Sequence, residues 1–301
     1  MRIILTGANG FAGAWLAKAI LDKGFELLAT GRGECRLPFQ EHPLFSYREM
    51  ELTDLDAIRS AFLSFEPELV LHSGAISKPD ECELNQEKAY EINVNGTRYL
   101  LEQAALSQAR FIFLSTDFVF DGENGPYREE DEPAPVNYYG FTKWEAEKIT
   151  RSYPYDWAIV RTILVYGIPL VPRNFLLNMV EEKLKKGENF KLVNDQYRTP
   201  TYIDDLVDGI MAIIEKNGRG IFHISGEDKT TPYEMGAAWA KLKGLDAGLI
   251  RAVTAKTFPE PAKRPVSTSF ILDRAKNELG YQPHGLMEGL EKMALSSSSA
   301  H

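Results

Sequence analysis

Tyr139 and Lys143 stand four residues apart in Tyr139-Gly140-Phe141-Thr142-Lys143, so on a helix their side chains share one face. A tyrosine phenol has a pKa of about 10 and alone is a poor proton shuttle at neutral pH. A nearby ammonium stabilises the phenolate and lowers that value, so the pair is expected to move a proton. The alternative is an exposed pair on an ordinary helix. A third group, Thr116, follows the strand-like run Arg110–Ser115 in Ser115-Thr116-Asp117-Phe118-Val119-Phe120-Asp121-Gly122. Ligands sit at the carboxyl ends of strands in open α/β sheets, so Thr116 is placed to donate a hydrogen bond to a substrate oxygen. Otherwise its hydroxyl caps local backbone.

The run Thr6-Gly7-Ala8-Asn9-Gly10-Phe11-Ala12-Gly13 follows one strand-like segment and opens a helix-like one. Gly7 permits a tight turn, Gly10 lets the backbone approach a pyrophosphate, and Gly13 lets the helix pack closely on the strand. The helix N-terminus offers N–H groups and a positive dipole end to phosphates. A dinucleotide site of the NAD type has an acidic residue at the end of the second strand. Here Gly31 and Arg32 occupy that place. A carboxylate repels a 2′-phosphate, whereas a guanidinium binds it through paired hydrogen bonds, so NADP(H) is favoured, with NAD(H) the alternative. In the other reading, Arg32 is a solvated surface residue.

These groups need rigid supports, and the first half of the chain supplies alternating ones. Strands are expected at Ile3–Thr6, Glu26–Thr30, Leu69–His72, Arg110–Ser115 and Trp157–Arg161. Helices are expected at Gly13–Lys23, Leu55–Phe65, Gln86–Leu106 and Tyr138–Thr150. Such alternation specifies an α/β fold, a Rossmann-type doubly wound parallel sheet. Beyond Arg161 prolines break the chain into short pieces, which predicts a smaller C-terminal substrate lobe. The expected division is 1–160 for the NADP(H)-binding domain and 161–295 for a substrate-binding lobe interwoven with it. The serine-rich end, residues 296–301, is expected to be a disordered tail.

Bulk properties exclude other classes. The 301 residues are 44% hydrophobic and 26% charged, with a net charge of −9. That balance fits a globular protein and argues against nucleic-acid or membrane-surface binding, which need a basic face. No stretch reaches the roughly 18 apolar residues of a membrane span. Cys35 and Cys82 have no metal-like or redox-like spacing, and no targeting segment opens the chain, so a reducing, cytoplasmic location is expected. No His/Cys/Asp/Glu spacing predicts a metal site. Glu129–Glu132 reads as a solvated acidic loop, and His72, His223, Trp144 and Trp239 as packing residues.

With these motifs in place, the chain resembles the extended short-chain dehydrogenase/reductase family, most of all its dTDP-4-dehydrorhamnose reductase branch. The matching residues are Thr6–Gly13, Ser115–Gly122, the Tyr139/Lys143 pair, Arg161-Thr162, Val165-Tyr166-Gly167, Asn174-Phe175, Asn194-Asp195-Gln196 and Pro200-Thr201. The resemblance implies an NADPH-dependent reduction of a nucleotide-activated 4-keto sugar, as in dTDP-rhamnose biosynthesis. It implies Tyr139 as proton donor, Lys143 as holder of the nicotinamide ribose, and Thr116 as the keto-oxygen donor. Gly7, Gly10, Phe11, Ala12 and Gly13 would line the pyrophosphate site, and Leu52 the adenine. Ala75 falls in a run of small residues suited to close approach of the cofactor, and Asn93 matches a structural and catalytic asparagine. Ser77, Asp117, Asn174, Gln196 and Arg198 would lie on the substrate side. Homodimers through paired helices are common in the family.

The chain departs from the branch at three places. Arg161-Thr162 is followed by Ile163 and Leu164 where the branch carries a tryptophan. Arg198 stands where glycine is common; it would bind a diphosphate or pair with an acid of the small lobe. His72-Ser73-Gly74-Ala75 replaces a stretch usually showing Asn and Ala. Two rivals share the fold: a sugar-nucleotide epimerase or dehydratase, and a non-catalytic NADP-binding regulator resembling the regulatory subunit of methionine adenosyltransferase. Dehydratases follow the threonine with Asp and Glu, but here Phe118 replaces the glutamate, and a phenyl ring takes no proton. Epimerases carry a serine- and threonine-rich run there.

Overall fold

The computed structural model describes residues 1–298. Seven strands form one parallel sheet: β1 (Arg2–Thr6), β2 (Glu26–Gly31), β3 (Phe45–Glu49), β4 (Leu69–His72), β5 (Arg110–Thr116), β6 (Trp157–Thr162) and β7 (Gly220–His223). Their order is β7-β6-β5-β4-β1-β2-β3. The chain therefore runs outward one way from β1 and the other way from β4. Between those two strands lies the switch point where ligands enter such sheets.

Apart from the edge strand β3, the strands are mostly buried, largely apolar runs because helices cover both faces. Ile3 and Leu5 face one core with Leu16, Ile20 and Ile210, while Ile4 faces the other with Ile58, Phe62 and Leu100. The helices are α1 (Phe11–Asp22), α2 (Leu55–Phe65), α3 (Pro79–Leu84), α4 (Gln86–Tyr90), α5 (Gly96–Ser107) and α6 (Tyr138–Arg151). The single helix expected over Gln86–Leu106 is two helices joined by a π turn at Glu91–Asn95, with Asn93 at its centre. β3 and α3 went unread in the sequence. β3 is a half-exposed edge strand with little apolar signal.

The sheet also recruits chain from beyond residue 160. Helix Ile203–Glu215 packs beside α1, and β7 pairs with β6. The remaining segments form three small parallel pairs: Val165–Tyr166 with Thr201–Tyr202, Phe190–Val193 with Ile250–Val253, and Tyr197–Arg198 with Ser267–Thr268. A separate apolar cluster, including Val180, Leu184, Leu192 and Ile250, holds helices Leu176–Lys185 and Pro232–Leu242 together.

The last helix, Leu286–Ser298, extends into the segment expected to be a disordered tail; residues 299–301 of that segment lie outside the described residues. Its start is anchored. The buried Asp205 carboxylate accepts from the His284 backbone N–H (3.0 Å), and Asp228 accepts from that of Leu286 (2.7 Å).

Candidate active site

A cleft of about 1090 Å³ opens at the carboxyl ends of the strands. That exceeds what one drug-sized ligand needs, so two ligands fit. Its floor on one side is the glycine turn between β1 and α1. Gly7 has φ of +72°, and a Cβ on Gly13 would lie 2.2 Å from the Gly7 carbonyl oxygen, so the helix can approach the strand only with glycine there. The first N–H groups of α1 have no intrahelical acceptor and are available to a phosphate. Gly7, Gly10, Phe11, Ala12 and Gly13 line the cleft, as do Arg32, Leu52 and Ala75. Arg36, missed in the sequence, joins Arg32 there. A second arginine in the short loop after β2 was the signal that could have found it.

The other side is built by the end of β5 and the start of α6. A Cβ on Gly140 would lie 2.0 Å from the Phe118 carbonyl oxygen, so α6 seats directly on the turn after Thr116. The Asn137 side chain caps α6 by accepting from the Gly140 N–H at 2.9 Å. This brings Thr116, Asp117, Phe118, Tyr139 and Lys143 to one wall of the cleft. Lys143 donates to the Leu114 carbonyl at 2.7 Å, with its ammonium 3.8 Å from the Phe113 ring centre.

Burial governs both reactive groups. It pushes the Lys143 ammonium down to about 7, against the raising pull of Glu147. It holds the Tyr139 phenol well above its ordinary value, the Thr116 hydroxyl acting the other way. The lowering of Tyr139 expected from Lys143 is not found: burial dominates and the shift runs upward.

Beneath this wall lies a buried ion pair absent from the sequence reading. Arg161 Nε and Nη2 donate to the two Glu147 oxygens at 3.0 and 2.7 Å, and both side chains are fully buried. Ser115 Oγ donates to the same carboxylate at 2.6 Å. Glu129, read as part of a solvated loop, is half-buried: its carbonyl accepts from Arg161 Nη1 (3.3 Å) and its carboxylate from the His223 N–H (3.1 Å).

A second network ties the two halves together. Asn93, expected at the cofactor, does not line the cleft. Its amide is consumed behind the wall, accepting from the Ile76 N–H (2.8 Å) and donating to the Ile76 carbonyl (3.1 Å) and Thr142 Oγ1 (3.0 Å). Thr142 in turn donates to the Tyr139 carbonyl at 2.8 Å. Thr97 donates to the Asn93 carbonyl (2.7 Å), so it accepts from His72 Nε2 (3.0 Å). His72 Nδ1 then accepts from Thr6 Oγ1 (2.6 Å), which itself accepts from the Gly74 N–H (3.2 Å). This fixes a neutral imidazole between the turn and the π segment, and burial keeps its pKa well below 6.5.

Ser77, Asn174 and Gln196, expected on the substrate side, line the same cleft. Leu164 does too, 44% exposed and at φ +31°, an apolar side chain held by a backbone that branched or bulky residues avoid. Arg198 pairs with an acid, but not one of the small lobe: its Nε lies 3.7 Å from Asp117 Oδ2 at the end of β5. Its Nη1 and Nη2 donate to the carbonyls of Tyr197 (2.7 Å) and Pro265 (2.8 Å), so it presents no free fork to a diphosphate. Asp117 also accepts from Thr116 Oγ1 (3.1 Å) and from Thr268 Oγ1. Arg264 reaches the cleft wall held by both oxygens of Asp80 at 2.9 Å, a partner 184 positions away that no local pattern announces.

This geometry has close relatives. A dTDP-4-dehydrorhamnose reductase of Aggregatibacter actinomycetemcomitans is 29% identical over 97% of this chain and 98% of its own length. The methionine adenosyltransferase 2 subunit beta of Danio rerio is 31% identical, over 91% of this chain and 83% of its own. The structure of dTDP-4-dehydrorhamnose reductase from Bacillus anthracis in complex with NADP superposes with a TM-score of 0.85 at 25% identity, covering 98% of this chain and 99% of that one. The family model described as the RmlD substrate binding domain matches residues 1–298, and the chain belongs to that family of extended short-chain dehydrogenases/reductases.

Proposed function

We propose that this protein reduces the keto group of a nucleotide-activated 4-keto sugar with NADPH, as a dTDP-4-dehydrorhamnose reductase does. The observation that carries this reading is the wall that gathers Thr116, Tyr139 and Lys143 opposite the glycine turn within one cleft. The residues suit the cofactor: a glycine turn with open N–H groups, two arginines after β2, and small residues Gly74 and Ala75 in the cleft lining that would permit its close approach. When bound, it supplies a hydride to a carbonyl carbon.

The chain's own groups supply the rest. Thr116, whose one proton goes to Asp117 in this structure, turns that proton to the keto oxygen when substrate binds and fixes the carbonyl face. Tyr139, kept protonated by burial, gives its proton to that oxygen as charge develops. Lys143 shares a helix face with Tyr139, binds the nicotinamide ribose and, when protonated, steadies the phenolate left behind. Ser77, Asn174 and Gln196 hold the sugar nucleotide, with Leu164 as its apolar wall. Asp117 keeps Thr116 oriented before substrate binds, and Thr268 and Arg198 engage its other oxygen.

Self-association as a homodimer and a cytoplasmic location belong to the same reading, and light scattering of the purified protein tests the first. A panel of keto sugar nucleotides, followed by NADPH and NADH absorbance, tests the reaction. Tyr139→Phe is expected to lower turnover by about 10²–10⁴-fold while NADPH still binds. A near-normal rate in that variant removes Tyr139 as the proton donor.

A further inference from the structure

Asn9 lies inside the glycine turn and lines the cleft, and its side chain is bonded to the loop after β2. Nδ2 donates to the carbonyls of Arg32 (3.2 Å) and Glu34 (3.0 Å) and to the Tyr47 hydroxyl (2.9 Å). Oδ1 accepts from the Arg36 N–H at 3.0 Å, and the Asn9 carbonyl lies 3.5 Å from Arg36 Nη2. An amide has two N–H groups and one carbonyl oxygen, so this side chain is fully engaged. Behind it, Tyr47 donates its own proton to the Gly33 carbonyl (2.7 Å), and the Gly33 N–H donates to Glu49 Oε1 (3.1 Å).

Gly33 has φ of +66°, with no atom within 4 Å of where a Cβ would stand. Arg32 and Arg36 are exposed cleft-lining residues, and neither forms an ion pair among the described residues. Binding a phosphate with two long, exposed side chains carries an ordering cost, which a pre-set backbone reduces.

We propose that Asn9 is a positioning residue for cofactor selectivity: it fastens the arginine loop to the glycine turn, so that Arg32 and Arg36 converge on the 2′-phosphate of NADPH. The inference rests on the NADPH reading above. One side chain then links the two phosphate sites of the cofactor. Placing the pyrophosphate on the turn also places the arginines.

The test compares wild type with Asn9→Ala and with Tyr47→Phe, a variant at a residue outside the cleft lining that removes only the far anchor. Calorimetry measures binding of adenosine 2′,5′-bisphosphate and of ADP, and kinetics gives KM for NADPH and NADH. Both variants are expected to weaken the bisphosphate and raise KM for NADPH by about fivefold to tenfold more than they change ADP and NADH, as a lost hydrogen bond or two implies. A general collapse of the turn would weaken all four ligands in step, and that result overturns the proposal. A preference that survives both variants overturns it alone. A wild type with no preference for the phosphorylated ligands overturns it together with the NADPH reading.

Discussion

Glu147→Gln offers the sharpest test of how the buried network serves the catalytic wall. Glu147 and Arg161 are both fully buried, and Gln leaves the Arg161 guanidinium facing an amide N–H where it had an anionic oxygen. Ser115 keeps at most a neutral acceptor. Removing one partner of a buried pair costs about 3–5 kcal/mol, because the other charge stays buried and unpaired. With a urea slope of about 3 kcal/mol per molar, the unfolding midpoint falls by roughly 1–1.7 M.

A second effect follows from charge. Glu147 raises the Lys143 ammonium against burial, which leaves it at about 7. Without that carboxylate the ammonium loses its proton at lower pH. The limb of kcat/KM that falls as pH rises through about 7 should therefore move to more acid pH. The two effects separate in Glu147→Leu combined with Arg161→Met. Apolar replacement of both partners should recover most of the stability, as buried pairs often allow. The pH limb should stay displaced, because the charge that raised Lys143 is still missing. If the double variant regained both stability and the original limb, or if Glu147→Gln cost under 1 kcal/mol, the electrostatic account of this wall would be wrong.

Two further expectations rest on single groups. Thr116→Val keeps shape and removes one donor to the developing oxyanion, so kcat should fall by about 10²–10³-fold in steady-state assays, and a loss under tenfold would reassign that hydroxyl. His72 and His223 are buried with pKa values well below 6.5. The unfolded chain therefore binds more protons than the native one below 6.5, and stability should fall with pH there by about 1.4 kcal/mol per histidine and pH unit. Urea midpoints between pH 6.5 and 5.5 measure this, and His72→Asn should flatten the dependence; a flat wild-type curve would mean the imidazoles are not held neutral.

What could be read in the sequence was what local pattern encodes. The apolar runs Leu69–His72 and Arg110–Ser115 are strands because both sheet faces are covered, and the glycine spacing from Gly7 to Gly13 reports a steric demand met within eight residues. Cleft positions of Thr116, Tyr139 and Lys143 followed from spacing plus the rule for strand ends. Pairings made only in three dimensions were invisible. Glu147 meets Arg161 because α6 lies over β6, and Asp80 meets Arg264 because a distant loop crosses the cleft. Arg198 was placed between two roles; it lines the cleft and lies 3.7 Å from an acid on another element, Asp117, a pairing no local pattern announced. The sign of the Tyr139 shift depended on burial, which spacing does not reveal.

That sign bears on the choice among the enzymatic readings. Reduction of a carbonyl requires one hydride to carbon and one proton to oxygen. A phenol held in its acid form beside a threonine hydroxyl supplies the proton and nothing more. Eliminating water from a sugar needs a further acid for the departing hydroxyl and a base for the adjacent carbon. The position where that second group would stand is Phe118, whose ring sits 5.8 Å from the Tyr139 ring, and the remaining carboxylate, Asp117, is closed off by two threonines and Arg198. Tyr139 supplies the single proton that a reduction consumes, and Phe118 withholds from this wall one of the two groups that a dehydration requires.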